Sequence, residues 1–385
     1  MFTEDAVDFN LTEDHLMIRD MVREFAENEI APVIMEFDES QDFHWPIAEK
    51  LAELGMFGII FDENYGGAGM SYIHYALILE ELARVDGSVA LTIAAHNSLC
   101  TNHINLCGTE EQKMKYLPKL CSGEHIGAWG LTEPGSGSDA GGMRTTAVED
   151  GDSWVLNGTK TFITHATVGK VSVVLAVTDP DAGSKMSSAF IIEAGTPGFS
   201  YAGKENKLGM RSSDTAQLVM EDCRIPKENL LGVRGQGFVD ALRILDGGRI
   251  SIAALGVGLA QGAVAHSIKY AKEREQFGKP IGRFQAIQWM LADMATEADA
   301  ARLLTLKAAQ LKDQGKEVNK ESAMAKYYAG ECSVRNAEKA VQIFGGYGMS
   351  KDYPVEKIYR DCKLCTIGEG TSEIQKLVIA RKLFA

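Results

Sequence analysis

A basic excess is missing from this sequence. Its 385 residues carry 39 Lys and Arg against 53 Asp and Glu, a formal net charge of −14. A nucleic-acid partner wants a basic face, so that class is excluded. Long apolar runs are also missing. The longest, Val171 to Val177 apart from Ser172, is strand-sized, far short of the ~18 residues of a membrane span. The start, Met1-Phe-Thr-Glu-Asp-Ala-Val-Asp, is acidic, the opposite of a signal or transit peptide. No membrane span and a cytoplasmic location are therefore expected. The seven cysteines are odd in number and scattered, which fits a reducing compartment. Cys362 and Cys365 form a lone Cys-Lys-Leu-Cys with no second ligand pair and no thioredoxin-like setting, and read as coincidence. The eight histidines show neither His-x-x-x-His nor His-Glu-x-x-His spacing, so no metal site is expected. Solenoid repeats and low-complexity tracts are lacking too.

What is present is a mixed, globular composition, long enough for two or three structural regions. Thr12 with Glu13 and Asp14 reads as a helix cap, and Leu16, Ile18, Met21, Val22, Phe25 and Ile30 follow at helical spacing. Further helical patterns cover 47–54, 72–85 and 89–106, and Thr109-Glu-Glu-Gln112 reads as a capping box. Around Trp129 the texture changes. Leu156-Asn-Gly-Thr and Pro197-Gly are turn signals, with strands expected over 171–178, 188–193 and 215–220. Long helical patterns return over 238–272, 284–314, 320–344 and from Ser372 onward. The fold class is α+β: an N-terminal α-helical domain (1–128), a middle β-domain (129–235) and a C-terminal long-helix bundle (236–385).

Several stretches carry chemistry. In Ile367-Gly-Glu-Gly-Thr-Ser-Glu-Ile-Gln375 a carboxylate, Glu369, stands between two glycines, which let the backbone bend sharply or approach a ligand. Two readings stand: a carboxylate presented to a substrate, or merely a capped helix N-terminus. For Glu373 the helix N-terminus is preferred; for Glu369 both remain open. Leu131-Thr-Glu-Pro-Gly-Ser-Gly-Ser-Asp139 makes a tight loop of exposed N–H groups and hydroxyls, able to cradle a pyrophosphate or a heterocycle, or simply to turn the chain. The dinucleotide fingerprint within it is rejected, because Gly141 and Gly142 follow and the next pattern is strand. Gly256-x-Gly258-x-x-x-Gly262 reads as close helix packing. In Leu245-Asp-Gly-Gly-Arg249, paired glycines inside a helical pattern make room for something. Arg249 there could meet Glu369, a ligand phosphate or, in the bland reading, Asp246 in a surface ion pair. Arg274-Glu-Gln-Phe-Gly-Lys-Pro280, with Gln285 beyond it, and Gln342-Ile-Phe-Gly-Gly346 end long helices.

Together with Phe162-Ile-Thr164, these stretches resemble the acyl-CoA dehydrogenase family of FAD flavoenzymes over essentially the whole chain, and most of all its butyryl-CoA or short-chain members. The resemblance implies an FAD-dependent oxidoreductase of fatty acid metabolism that dehydrogenates a short, branched or alicyclic acyl-CoA to the 2-enoyl-CoA. Glu369 would take the α-proton, flavin N5 the hydride, and an electron-transferring flavoprotein the electrons. An acyl-CoA oxidase using oxygen and a non-catalytic acyl-CoA-binding protein on the same fold are the alternatives. By the same resemblance Trp129, Leu131, Thr132, Gly137, Ser138, Phe162, Ile163 and Thr164 lie along the flavin. Arg274, Phe277, Gln285, Gln342, Ile343, Gly345 and Gly346 hold FAD across subunits, which implies a homotetramer built as a dimer of dimers. Thr371, Ser372 and Glu373 contact its pyrophosphate region. Ser138, Asp246, Arg249 and Gly370 bind substrate. Gly368 stands where many members carry tyrosine, implying a roomier pocket. His165 is either a ring tuning the flavin edge or a plain surface residue. The isovaleryl-type branch carries its base at the position of Gly248, so Gly248 is expected to face the same substrate carbon as Glu369 and to leave space for a carboxylate side chain.

Overall fold

Thr12 does cap the first helix. In a computed structural model describing residues 10–384, its hydroxyl accepts from His15 N and the His15 ring reciprocates, opening α1 (Glu13–Phe25). The acidic stretch 1–8 lies outside the described residues. Next come α2 (Ile34–Ser40), α3 (Trp45–Glu53), α4 (Tyr72–Val85) and α5 (Gly87–Ala95). The helical pattern expected over 89–106 is broken by a π-helical turn, His96–Thr101, before α6 (Asn102–Cys107). Side chains of the turn engage backbone carbonyls: Asn97 Nδ2 donates to Ile93 O and to the distant Met56 O, and the Ser98 hydroxyl donates to Ala94 O, in competition with the ordinary ladder. α7 (Glu110–Cys121) starts with the expected capping box of Thr109 and Gln112.

The middle of the chain is a twisted sheet: β1 (Gly127–Gly130), β2 (Thr146–Asp150), β3 (Ser153–Thr164), β4 (Val171–Val177), β5 (Ser187–Glu193), β6 (Phe199–Ala202), β7 (Thr215–Pro226) and β8 (Leu230–Leu231). The order is β6-β7-β3-β2-β4-β5-β8, with β1 parallel alongside β4. The turn expected at Asn157-Gly158 is absent. Those residues lie inside β3, at a bulge where the pairing with β7 shifts register. Gly158 has φ +147, and a Cβ there would come within 2.5 Å of Thr145 Oγ1. The glycine thus permits a close strand approach instead of a reversal.

α8 (Gly237–Glu273), the short hairpin β9 (Glu275–Gln276) and β10 (Lys279–Pro280), α9 (Gln285–Asp313), α10 (Asn319–Phe344), α11 (Val355–Asp361) and α12 (Ser372–Leu383) complete the α+β fold. Counted with its small residues, α8 contains an 18-residue window apolar enough to cross a membrane, longer than the run at 171–177. Yet 78% of that window is buried inside the protein, so α8 is a core helix. Helices from both ends of the chain share one core, to which Val22, Leu79, Leu255 and Ala329 all belong. The sheet keeps a separate interior around Trp154, Leu156, Phe190 and Leu218.

The glycines of α8 act as expected. A Cβ at Gly258 would lie 2.3 Å from Glu80 O, and one at Gly262 2.4 Å from Arg84 O, both on α4; one at Gly256 would lie 3.1 Å from Ala329 O on α10. Gly258→Ala should therefore destabilise the protein by about 1–3 kcal/mol, although alanine is the better helix former by about 1 kcal/mol. A urea midpoint equal to or above that of the wild type would refute this packing argument.

Candidate active site

Glu369 lies in the bend between a 3₁₀ turn, Cys362–Thr366, and α12. Its φ is +51 and that of Gly370 is +95, so two successive residues take left-handed conformations. Side chains from two helices hold them there. Gln375 Nε2 donates to Glu369 O (3.2 Å) and Gly370 O (3.0 Å), and Lys326 Nζ on α10 donates to Gly370 O (2.5 Å). Thr371 caps α12 by accepting from Ile374 N, and Glu373 occupies the first turn as a dipole partner. Among the described residues the Glu369 N–H donates to no protein acceptor. Glu369 is partly buried as a residue, but its Oε2 is closed off from solvent and has no hydrogen-bond partner among the described residues. Burial pushes the carboxyl up to about 7, against the opposing pull of Lys326 and Arg249.

Gly248 faces this carboxylate: a Cβ there would stand 2.0 Å from Glu369 Oε2. The two positions do meet, as expected. The free space expected at Gly248 does not exist, because the Glu369 carboxylate fills it. Gly247 is closed from another side by the Tyr72 hydroxyl, 3.2 Å from where its Cβ would be. At Gly368 a Cβ would meet Leu364 at 3.3 Å, so Leu364 occupies part of the room expected there. Asp246 and Arg249 form the i, i+3 pair at 2.6 Å, but not at the surface: Arg249 is buried, its Nε lacks a partner among the described residues, and Asn319 Nδ2 also holds Asp246 (2.9 Å). Burial lowers the Arg249 pKa and raises that of Asp246.

A second group of the expected site residues lies on the sheet. Trp129 is buried with its Nε1–H on His103 Nδ1 (3.0 Å). Leu131 is buried, while Gly135, Gly137 and Ser138 are exposed. Phe162 takes φ +56 and is 65% exposed, whereas Ile163 beside it is buried. His165 is fully buried, which corrects the surface reading: the ring Nδ1 bonds Gly127 O (3.0 Å), and burial lowers its pKa. The third group lies around the end of α8. Arg274 stacks on Tyr347 (5.4 Å), Phe277 (φ +54, 93% exposed) meets Phe284, and Gln342, Gly345 and Gly346 are exposed nearby in sequence to Tyr347. Cys362 and Cys365 are free and buried, with the Cys362 thiol donating to Tyr359 O.

Sequence reasoning missed Lys326 and Gln375. Lys326 is an ordinary lysine in a helical pattern, and no local signal marks it. Gln375 closed the quoted Glu369 motif without being given a role, although its place three residues into a capped helix aims it back at the bend.

The chain matches three family models: acyl-CoA dehydrogenase N-terminal domain over 12–124, middle domain over 128–223 and C-terminal domain over 235–384. It is 49% identical to "Acyl-CoA dehydrogenase, short-chain specific" of Clostridium acetobutylicum, covering 98% of this chain and 100% of that protein. It is 47% identical to "Caffeyl-CoA reductase-Etf complex subunit CarC" of Acetobacterium woodii, covering 97% and 98%. The solved butyryl-CoA dehydrogenase of Megasphaera elsdenii superimposes with a TM-score of 0.96 at 43% identity, covering 98% of this chain and 100% of that one.

The raised pKa has a consequence for stability. Between the ordinary carboxylate value and about 7 the folded state binds the Glu369 proton more tightly than the unfolded chain does. That contribution is therefore present at low pH and lost as pH rises through this window. Glu369→Gln, which cannot ionise, should raise Tm at pH 8, by about 1 °C per kcal/mol relieved, and change it much less at pH 4. An equal shift at both pH values would show that Glu369 is not held in a desolvated state.

Proposed function

The chain belongs to the acyl-CoA dehydrogenase family of FAD-dependent oxidoreductases, and from that premise we propose that it dehydrogenates a short or compact acyl-CoA to the 2-enoyl-CoA with Glu369 as base. The observation that carries this reading is the Glu369 Oε2, closed off from solvent and unpartnered among the described residues, opposite Gly248. A thioester α-proton is too weakly acidic for a solvated carboxylate to remove readily. Desolvation that lifts Glu369 to about 7 makes it a stronger base while leaving a large ionised fraction at neutral pH. The free Glu369 N–H is available to the thioester oxygen as negative charge develops there. Asp246, Arg249 and Ser138 would hold coenzyme A. A polar recess of about 230 Å³ adjoins Asp246 through the Asn319 bond; it is lined by Lys320 and Lys382 but also by Glu321 and Glu317, which pair with them, so its charges are already balanced.

The residues fit a flat aromatic cofactor. Phe162 stands exposed in a left-handed conformation, a Cβ built on Gly135 or Gly137 would meet nothing within 4 Å, and among the described residues the Thr132 and Thr164 hydroxyls make no hydrogen bond. Loop 129–138 and Phe162, Ile163 and Thr164 would hold the ring, with Thr371 and Ser372 near the pyrophosphate. FAD, when bound, supplies the acceptor for the β-hydrogen. The 93% exposure of Phe277, whose ring meets only Phe284 among the described aromatic residues, supports a surface covered by a second copy. A homotetramer in which Arg274, Gln285 and Gln342 reach a neighbour's FAD accounts for it. Electron-transferring flavoprotein is the proposed acceptor, supported by the Etf complex to which the 47% identical relative belongs by name. That same name favours a second reading, the reverse reduction of a 2-enoyl-CoA, in which protonated Glu369 gives its proton back. A group titrating near 7 serves either direction.

The test is flavin bleaching of the holoprotein under argon by butyryl-, isobutyryl-, cyclohexanecarbonyl- and octanoyl-CoA, followed by electron-transferring flavoprotein or air. Bleaching by one of the compact substrates with reoxidation by the flavoprotein is expected. Fast reoxidation by air would identify an oxidase, clear preference for octanoyl-CoA would defeat the compact-substrate assignment, and no bleaching by any of them would leave a non-catalytic binder. Reduction of a 2-enoyl-CoA by the pre-reduced protein tests the reverse reading.

The assignment of the base has its own test. Glu369→Gly should lower turnover by ~10²–10⁴-fold. Gly248→Glu added to that variant should restore part of it, since the cleared space then admits a carboxylate from the opposite side. Added to Glu369→Gln it should restore little, because the amide still occupies the 2.0 Å gap. Wild-type turnover in Glu369→Gly would mean that another group is the base.

A further inference from the structure

Two residues of the loop ahead of Pro134, Leu131 and Glu133, are fixed from beneath by one buried ion pair, and Thr132 between them by the backbone of β3. Lys160 has no exposed surface in the middle of β3. Its Nζ donates to Glu133 Oε1 at 2.7 Å and to Leu131 O at 3.1 Å. Glu133 is itself saturated, accepting from Arg144 N at 2.7 Å and Thr145 N at 2.9 Å. Its backbone exchanges two bonds with Ser136, and Thr132 O accepts from Thr161 N at 2.9 Å. A net-neutral buried pair of this kind is a poor source of stability, because the desolvation of both charges offsets their attraction and apolar residues would fill the volume as well. What an apolar pair would not supply is a donor onto Leu131 O.

That bond has a directional consequence. The described residues contain no cis peptide, and in a trans peptide the C=O and the N–H point opposite ways. With the Leu131 carbonyl drawn inward to Lys160, the N–H of the same peptide, that of Thr132, points away from the buried pair. Among the described residues it has no protein acceptor. Gly130 leaves the room for this arrangement: a Cβ there would stand 3.1 Å from Lys160 Cγ.

We propose that Lys160 and Glu133 are positioning residues for the cofactor: Lys160 holds the Leu131 carbonyl inward so that the Thr132 N–H is presented, already oriented, to an acceptor atom on the flavin ring. The inference rests on the reading above that loop 129–138 faces FAD. Orientation fixed before binding lowers the ordering cost of binding, so the pair acts on cofactor affinity and on the electronic environment of the ring while touching neither cofactor nor substrate.

The test uses full-length Lys160→Met/Glu133→Gln, which removes both charges and keeps the shapes, beside Glu133→Gln, which keeps the ammonium on Leu131 O. The urea midpoint of the apoprotein, the FAD dissociation constant and the visible absorption bands of the bound flavin are measured for each. The double variant is expected to keep a near wild-type midpoint, to bind FAD about tenfold more weakly, the scale of one charge-assisted hydrogen bond, and to show displaced flavin bands. Glu133→Gln should weaken FAD less. Wild-type affinity and bands in the double variant, equal loosening in both variants, or a double variant that does not fold would each overturn the assignment. The function reading is tested separately by the wild type: a wild-type chain that binds no FAD sinks that reading, whereas one that binds FAD beside an insensitive double variant sinks only the role of the pair.

Discussion

Helix α8 has to pass within backbone distance of several partners at once, and the rest of the structure is arranged around that constraint. Its Gly258 and Gly262 lie against carbonyls of α4, its Gly256 against α10, and its Gly247 and Gly248 against Tyr72 and Glu369. Each glycine inside a helix costs about 1 kcal/mol relative to alanine. A series of them is tolerable only where close approach returns dispersion and burial over a long contact. The residues of α8 from Gly247 to Ala260 are almost all buried, and the shared core that results joins both ends of the chain. Gly248, opposite Glu369, is bare for a different neighbour: a Cβ there would stand 2.0 Å from the Glu369 carboxylate instead of against another helix.

Two buried ionic sites in this protein follow the same physics to opposite ends. Lys357 is buried between Asp86 and Asp361, and although burial pulls its pKa down, the two carboxylates outweigh it and hold it above the ordinary lysine value. Asp361 also accepts from Met210 N, and Arg360 next to it binds Asp38 and Glu356. This network ties α11 to α2, α5 and the sheet domain, and every charge in it has a partner. The Glu369 Oε2 is likewise closed off from solvent, but Lys326 Nζ donates to Gly370 O and Arg249 is engaged with Asp246. Neither makes a hydrogen bond to the carboxylate, so desolvation wins and the group stays basic. The Lys357 charge is neutralised where it lies; the Glu369 carboxylate is kept close to opposite charge and short of contact.

Much of this was legible in the sequence where the signals are local. The capping boxes at Thr12 and Thr109, the span of α4 and the glycine spacing of α8 depend on neighbours within one helix or on composition alone. The motif around Glu369 was legible as a motif, and its meeting with Gly248 followed from family resemblance. What was hidden depends on partners far along the chain. Asn157-Gly158 has the composition of a turn, yet β7 supplies pairing on its other side and turns it into a bulge. His165 is polar and follows a strand, yet Gly127 and Asp214 enclose it. Lys326 and Lys160 resemble ordinary lysines, because nothing within a few residues announces that their ammonium groups will be buried against carbonyls of other elements.

Backbone strain links these observations. Left-handed φ at a non-glycine residue costs of order 1–3 kcal/mol and persists only where the surroundings over-determine it. Seven such residues occur among those described. Gln41 ends a helix, Asp222 is held by Asn157, and Met210 is held by Asp361. Phe162, His165, Phe277 and Glu369 belong to or adjoin the stretches in which the family resemblance resides. Phe277 is turned outward at the tip of the hairpin, Phe162 is turned outward at the end of β3, and His165 anchors that same strand end to β1. Glu369 is turned inward and held by Gln375 and Lys326 acting on the two carbonyls that follow its α-carbon. The strained conformations leave Phe162 and Phe277 exposed and Glu369 with an Oε2 that has no partner among the described residues, while His165 is buried against β1.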